Sequence, residues 1–315
     1  MSGLHNHYDQ DHQRGTLTQR AALASVTMAL FLLGLKIWAA AETGSVAMLG
    51  SLADTGLDIM ASLVTLYSVR LAAVPADHDH RFGHGKAEAL AALFQTGIIV
   101  ASAIAIGWRG ISMIGTSSAP ERPELGIAVS LVAIVTTFVL ILYQRSVVRR
   151  TGSIAIQADH VHYSSDLLLN AAVIAALVVD AVLGFRGADP LLGVVIAAWL
   201  IWHARAVASS AIDQLMDKEW PLEKRERFLI AATSHPDLQG VHDVRTRSSG
   251  TRDFAQFHVW VDGSKSLKVI HDAMDELEAR LMVEFPGAEI IIHPEPDDQI
   301  ESGSGETRPL EGDDI

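Results

Sequence analysis

Ser51-Leu-Ala-Asp54-Thr-Gly-Leu-Asp58-Ile-Met-Ala-Ser62 sets two carboxylates four residues apart inside an otherwise apolar segment, Ser45 to Arg70. Four residues is about one helical turn, so Asp54 and Asp58 share a face, with Ser51 and Ser62 on the same stripe. About a hundred residues later the device recurs in Asp159-His-Val-His162-Tyr-Ser-Ser-Asp166-Leu-Leu-Leu-Asn170. There His162 and Asp166 are one turn apart, and Asp159 and Asn170 continue the face. Ionisable groups at membrane depth are costly and mark ion paths.

Working outward, the spacing predicts six apolar helices: 21–41, 45–70, 90–114, 125–143, 154–185 and 189–208. Each approaches or exceeds the ~20 residues that cross a bilayer core. Arg14, Arg20, Arg70, Arg81, Lys86, Arg145, Arg149, Arg150 and Arg205 flank one set of ends, and Arg122 and Arg186 the other. The positive-inside rule then places both termini in the cytoplasm, as expected of a multi-pass inner-membrane protein. Lys36 and Arg109 fall near outer ends, where long stems snorkel. Asp54 and Asp58 lie nine and thirteen residues into the second segment, and His162 and Asp166 eight and twelve into the fifth. At ~1.5 Å per residue both pairs reach roughly 12–20 Å into a ~30 Å core, so they can meet near the midplane.

Residues 1–15 hold His5, His7 and His12 without apolar periodicity and read as a disordered cytoplasmic tail. They lack the pattern of a cleaved signal peptide, so the first apolar segment is expected to stay in the protein. Residues 16–208 form the expected six-helix transmembrane domain. Residues 209–296 read as a small α+β cytoplasmic domain, with helices over 221–235 and 266–285 and strands over 242–248, 254–262 and 288–293. The last strand is expected to stop at Pro294. From residue 297 the chain is an acidic, disordered tail. Of the net charge of −13, most lies from Ala208 onward, where 23 acidic face 11 basic side chains. That balance argues against a nucleic-acid partner.

With no cysteine and fourteen histidines, imidazole and carboxylate are the strong metal donors available. Asp54, Asp58, His162 and Asp166 make a four-donor set suited to zinc or a similar divalent ion. The loop Pro75-Ala-Asp77-His78-Asp79-His80-Arg-Phe-Gly83-His84-Gly85-Lys86-Ala-Glu88 offers Asp77, His80 and His84, with His78 and Asp79 as further candidates. There is no HExxH or paired CxxC. A metal-dependent hydrolase or a metal sensor without transport are the competing classes, and four protein donors leave no open position for hydrolytic water.

These stretches resemble the cation diffusion facilitator family, in its bacterial zinc and ferrous-iron efflux branch. The match includes the two intramembrane pairs, the loop, His242-Asp-Val-Arg-Thr-Arg-Ser-Ser-Gly250 and Ile290-Ile-Ile-His293, in order from about Arg20 to Pro296. The resemblance implies a homodimer in the bilayer that exports a cytoplasmic divalent cation in exchange for protons. It implies zinc, both transported and structural, with Fe2+, Cd2+ and Mn2+ as alternative substrates. It also implies a cytoplasmic metal cluster at the dimer interface from His242, His258, His271 and His293. Glu295 stands where close relatives carry Asp. Lys86 and Asp217 match a pair that interlocks the helices with the cytoplasmic domain.

Overall fold

The computed structural model describes residues 2–43, 46–112, 123–183, 188–250 and 252–297. His12–Asp213 forms one compact unit, and the chain from Gln214 onward belongs to a second.

The first unit is formed by α1 (Ser2–Thr43) from His12 onward, α2 (Val46–Ala72), α3 (Ala87–Ser112), α4 (Pro123–Thr151), α5 (Ile154–Leu183) and α6 (Ala188–Leu215) up to Asp213. Among the described residues, four stretches are long and apolar enough to cross a membrane: Gln13–Ala41, Ala87–Ser112, Leu131–Thr151 and Pro190–Leu215. Helices α2 and α5 carry the acids and the histidine of the quoted stretches.

Helix α5 packs against α2, α3 and α4. Small residues permit the approach: Ala21, Ala22 and Val26 of α1 meet Leu66 and Val69 of α2, Ala91 of α3, Val147 of α4, and Ala155 and Ile156 of α5. Gly110 of α3 is a required glycine, because a β-carbon there would lie 2.8 Å from the Pro190 carbonyl oxygen of α6.

Three boundaries differ from expectation. The tail expected over residues 1–15 is instead helical from Ser2. It contains no proline, and adding turns to an existing helix avoids the cost of nucleating one. Helix α4 continues through Arg145, Arg149 and Arg150 to Thr151, since arginine extends a helix as well as leucine does. Helix α6 likewise runs to Leu215, past the expected boundary at 208. The acidic tail beyond Asp297 lies outside the described residues.

The second unit contains α7 (Leu222–Ala232), β1 (Gln239–Ser249), β2 (Arg252–Val261), α8 (Leu267–Glu284) and β3 (Ala288–Pro296). The sheet order is β1-β2-β3, antiparallel between β1 and β2 and parallel between β2 and β3. Alternation along β2 sends Ala255, Phe257, Val259 and Val261 into a core with Phe228, Leu277, Leu281 and Phe285. Leu267, in the first turn of α8, is exposed.

Strand β3 does not stop at Pro294. It is an edge strand, and Pro294 and Pro296, two residues apart, direct their missing N–H groups to the same unpaired side. Phe228 is wholly buried, edge-on to Trp220 at 5.5 Å, Phe257 at 5.6 Å and Phe285 at 5.3 Å. Phe228→Ala should therefore destabilise this unit by about 3–5 kcal/mol. Chemical unfolding of the full-length protein against wild type measures it.

Candidate metal sites

Among the described residues, three clusters of metal donors form, each with donor atoms within 4.8 Å of one another. The first joins α2 to α5. His162 Nε2 lies 3.1 Å from Asp58 Oδ1 and 3.8 Å from Asp166 Oδ2. His162 is 6% exposed, so this is a buried site rather than a surface pair. Asp54 is on α2, one turn before Asp58, but its side chain lies outside the described residues.

Position along the stripe does not decide membership of this cluster. Asp159 is wholly buried and belongs to a separate polar network. It accepts hydrogen bonds from Ser25 Oγ (2.5 Å), Gln95 Nε2 (2.9 Å) and Gln144 Nε2 (2.8 Å), which come from α1, α3 and α4. Asn170 donates to the Asp166 backbone carbonyl at 2.7 Å, back onto its own helix. Tyr163 OH donates to the Ser25 carbonyl at 3.0 Å and lies 2.9 Å from Ser62 Oγ. These bonds fix the rotation of α5 that turns His162 and Asp166 toward α2. The sequence reading missed Ser25, Gln95 and Gln144. The signals available were a lone glutamine inside the third apolar segment and another one residue past the end of the fourth.

The second cluster is the loop before α3. Asp77 Oδ1 accepts the backbone N–H groups of Asp79 (3.0 Å) and His80 (2.7 Å), so the carboxylate folds its own loop. Its Oδ2 lies 3.3 Å from His84 Nε2, and the His80 and His84 rings are 4.6 Å apart. Gly83, at φ 77°, makes the turn between the two histidines. The His80 amide, the largest cause, holds the Asp77 carboxyl below the usual range. His78 and Asp79 are solvent-exposed and pair with each other at 3.8 Å, apart from the cluster. Lys86 ends this loop. Asp217, in the other unit, has φ 56° and accepts Arg247 Nη1 at 3.3 Å.

The third cluster lies on the sheet. The register pairs His242 with His258 and His258 with His293, so three histidines cross three strands in one row. Irregular pairing on both sides of His242, with Gly240 at φ 56° and Asp243 at φ 43°, sets that alignment. Glu295 reaches both neighbours: Oε1 is 2.7 Å from His258 Nδ1, and Oε2 is 3.2 Å from His242 Nε2. The longer side chain, where Asp was the pattern, still spans the site.

His242 Nδ1 lies 2.7 Å from the Gly240 carbonyl, an arrangement that leaves Nε2 to bind metal, and its ring stacks on Trp260 at 4.5 Å. Two imidazoles and a carboxylate fit a zinc donor set. The His293 ring lies 4.7 Å from that of His258, beside the three converging donors. His271 is not brought in: it is exposed on α8 and pairs with Asp275 at 3.2 Å. Its place on an exposed helix face separates it from the sheet row of its own chain.

Hydrogen bonds from His258, the leading cause, and from His242 hold the Glu295 carboxyl below the usual carboxylate range. A depressed folded-state pKa adds stability above the ordinary value of ~4.3, lost as pH falls through the lowered one. In chelator-treated protein, Glu295→Gln should therefore lose less stability than wild type between about pH 5 and pH 3. Unfolding curves across that window check it.

Comparison with known proteins gives matches to both units. The family model for the cation efflux transmembrane domain matches residues 22–216, and that for the cation efflux protein cytoplasmic domain matches residues 220–297. The cation-efflux pump FieF of Yersinia enterocolitica is 40% identical over 286 residues, covering 91% of this chain and 95% of its own. The FieF of Citrobacter koseri is 40% identical over 282 residues, covering 90% and 94%. A solved structure of CzrB in its zinc form is 37% identical, covering 26% of this chain and 96% of its own, with a TM-score of 0.24.

Proposed function

This chain belongs to the cation efflux family, and from that premise we propose that it exports zinc or a similar first-row divalent cation from the cytoplasm in exchange for protons. The observation that carries the proposal is the convergence of Asp58, His162 and Asp166 from two helices of the transmembrane domain. Asp54, one turn before Asp58, is the proposed fourth donor.

Metal binding needs ionised carboxylates and a neutral imidazole, so loading the site releases protons, and protonation releases the metal. His162 is the natural carrier, because an imidazole binds metal through a neutral nitrogen and can take up a proton once the metal has left. Alternating exposure of the site to the two sides of the membrane would couple the two fluxes. Both termini on the cytoplasmic side and a homodimeric assembly complete the reading. The loop cluster and the sheet cluster are proposed as regulatory or structural zinc sites. Each ion bound there stabilises the folded state by mass action.

Flux of zinc into sealed proteoliposomes, with an internal pH indicator, tests the proposal. Wild type should move zinc and protons in opposite directions, and Asp166→Ala should abolish both fluxes while remaining folded. Zinc movement in folded Asp166→Ala equal to wild type would overturn the site. The same assay tests selectivity. His162→Asp makes an all-oxygen site, so zinc should lose ground to manganese and the pH dependence over about pH 5.5–8 should flatten. Both changes have one cause and should appear together.

A further inference from the structure

Lys36 was expected to snorkel from the outer part of the first apolar segment. Instead its Nζ donates to Thr55 Oγ1 at 2.6 Å, and Thr55 is 1% exposed. Thr55 and Asp58 are three residues apart on α2, so their β-carbons are roughly 5–6 Å apart on one side of the helix. Asp58 in turn lies 3.1 Å from His162. The hydrogen bond therefore anchors an ammonium on the helical turn that carries Asp58.

We propose that Lys36 is a built-in counter-cation of the divalent site, whose fixed positive charge weakens metal binding enough to permit release. The inference rests on the reading of Asp58, His162 and Asp166 as the transport site. Three or more acidic and imidazole donors in a buried setting favour tight retention, whereas conduction needs binding weak enough to leave. A unit positive charge acts twice as strongly on a divalent ion as on a monovalent one. At an effective dielectric of about 20, a unit charge within about 10 Å of a divalent ion repels it by several times the thermal energy. When the metal has left, the same ammonium offsets the carboxylates that remain, and a buried charge without any compensation is costly. One residue thus lowers affinity for cargo and stabilises the vacated site.

The test is zinc titration of full-length protein in lipid nanodiscs at about pH 8, where few protons compete. The transport-site component is the one missing from Asp58→Ala. In Lys36→Met and Lys36→Gln that component should tighten by about tenfold or more, and in Lys36→Arg it should stay near wild type. Thr55→Val, which releases the ammonium from its anchor, should tighten it by less. Structural damage would only weaken binding, so a gain separates the two explanations. Unchanged or weaker binding in folded Lys36→Met or Lys36→Gln overturns the proposal. If Asp58→Ala loses no component at all, it is the site itself that has been misread.

Discussion

The His162–Asp58 contact, 3.1 Å between α5 and α2, concentrates the constraint under which the helical unit is built. Charged and polar groups placed among apolar helices need an answer from a neighbour, because water is not there to supply one. The bundle answers in three ways. Asp58 and Asp166 share the His162 imidazole, and the three together offer donor atoms to a metal. Asp159 is held by neutral donors from three other helices. Glu88 accepts Ser153 Oγ at 2.5 Å beside the start of α5. In each case α5 or the residue just before it is a partner, so the helix that carries the proposed ligands is also the one most firmly oriented.

That orientation explains why similar residues have different fates. His162 and Asp159 stand on the same helix less than one turn apart, yet one joins the metal cluster and the other a hydrogen-bonded cage. The deciding factor is what faces them: an acid on α2 for the first, amides and a hydroxyl from α1, α3 and α4 for the second. A carboxylate surrounded by fixed donors is already satisfied, so it suits positioning. A carboxylate facing a titratable ring is left open to exchange.

Much of this was legible in the sequence, for identifiable reasons. The six helices follow from apolar length, and the face of β2 follows from strict alternation, so both periodicities read cleanly. The i, i+4 spacing of His162 and Asp166 is a property of one helix and needs no tertiary knowledge. Their partnership with Asp58 required only matching depths. What spacing could not supply was lateral: which helix faces Asp159, and that Lys36 reaches Thr55 rather than the outer surface. The N-terminal residues show the complementary limit, since local composition gives no account of a helix propagating backward. On the sheet, the row His242–His258–His293 depends on irregular pairing around His242, which the alternation of residues does not encode.

The three metal clusters differ in what motion would do to them, and that difference separates their roles. Asp77, His80 and His84 lie within one short loop, and His242, His258 and Glu295 lie on one hydrogen-bonded sheet. Moving either element as a body leaves its ligands together, which suits a site that retains an ion. The Asp58 and His162–Asp166 donors come from two helices joined by side-chain contacts, with no backbone ladder between them. A small rotation or shift of α5 against α2 would separate them by more than a metal–ligand bond tolerates, since such bonds are only ~2.0–2.3 Å long for zinc. Of the three, this is the site that helix movement can make and break, as the proposed alternating access of a cargo site demands.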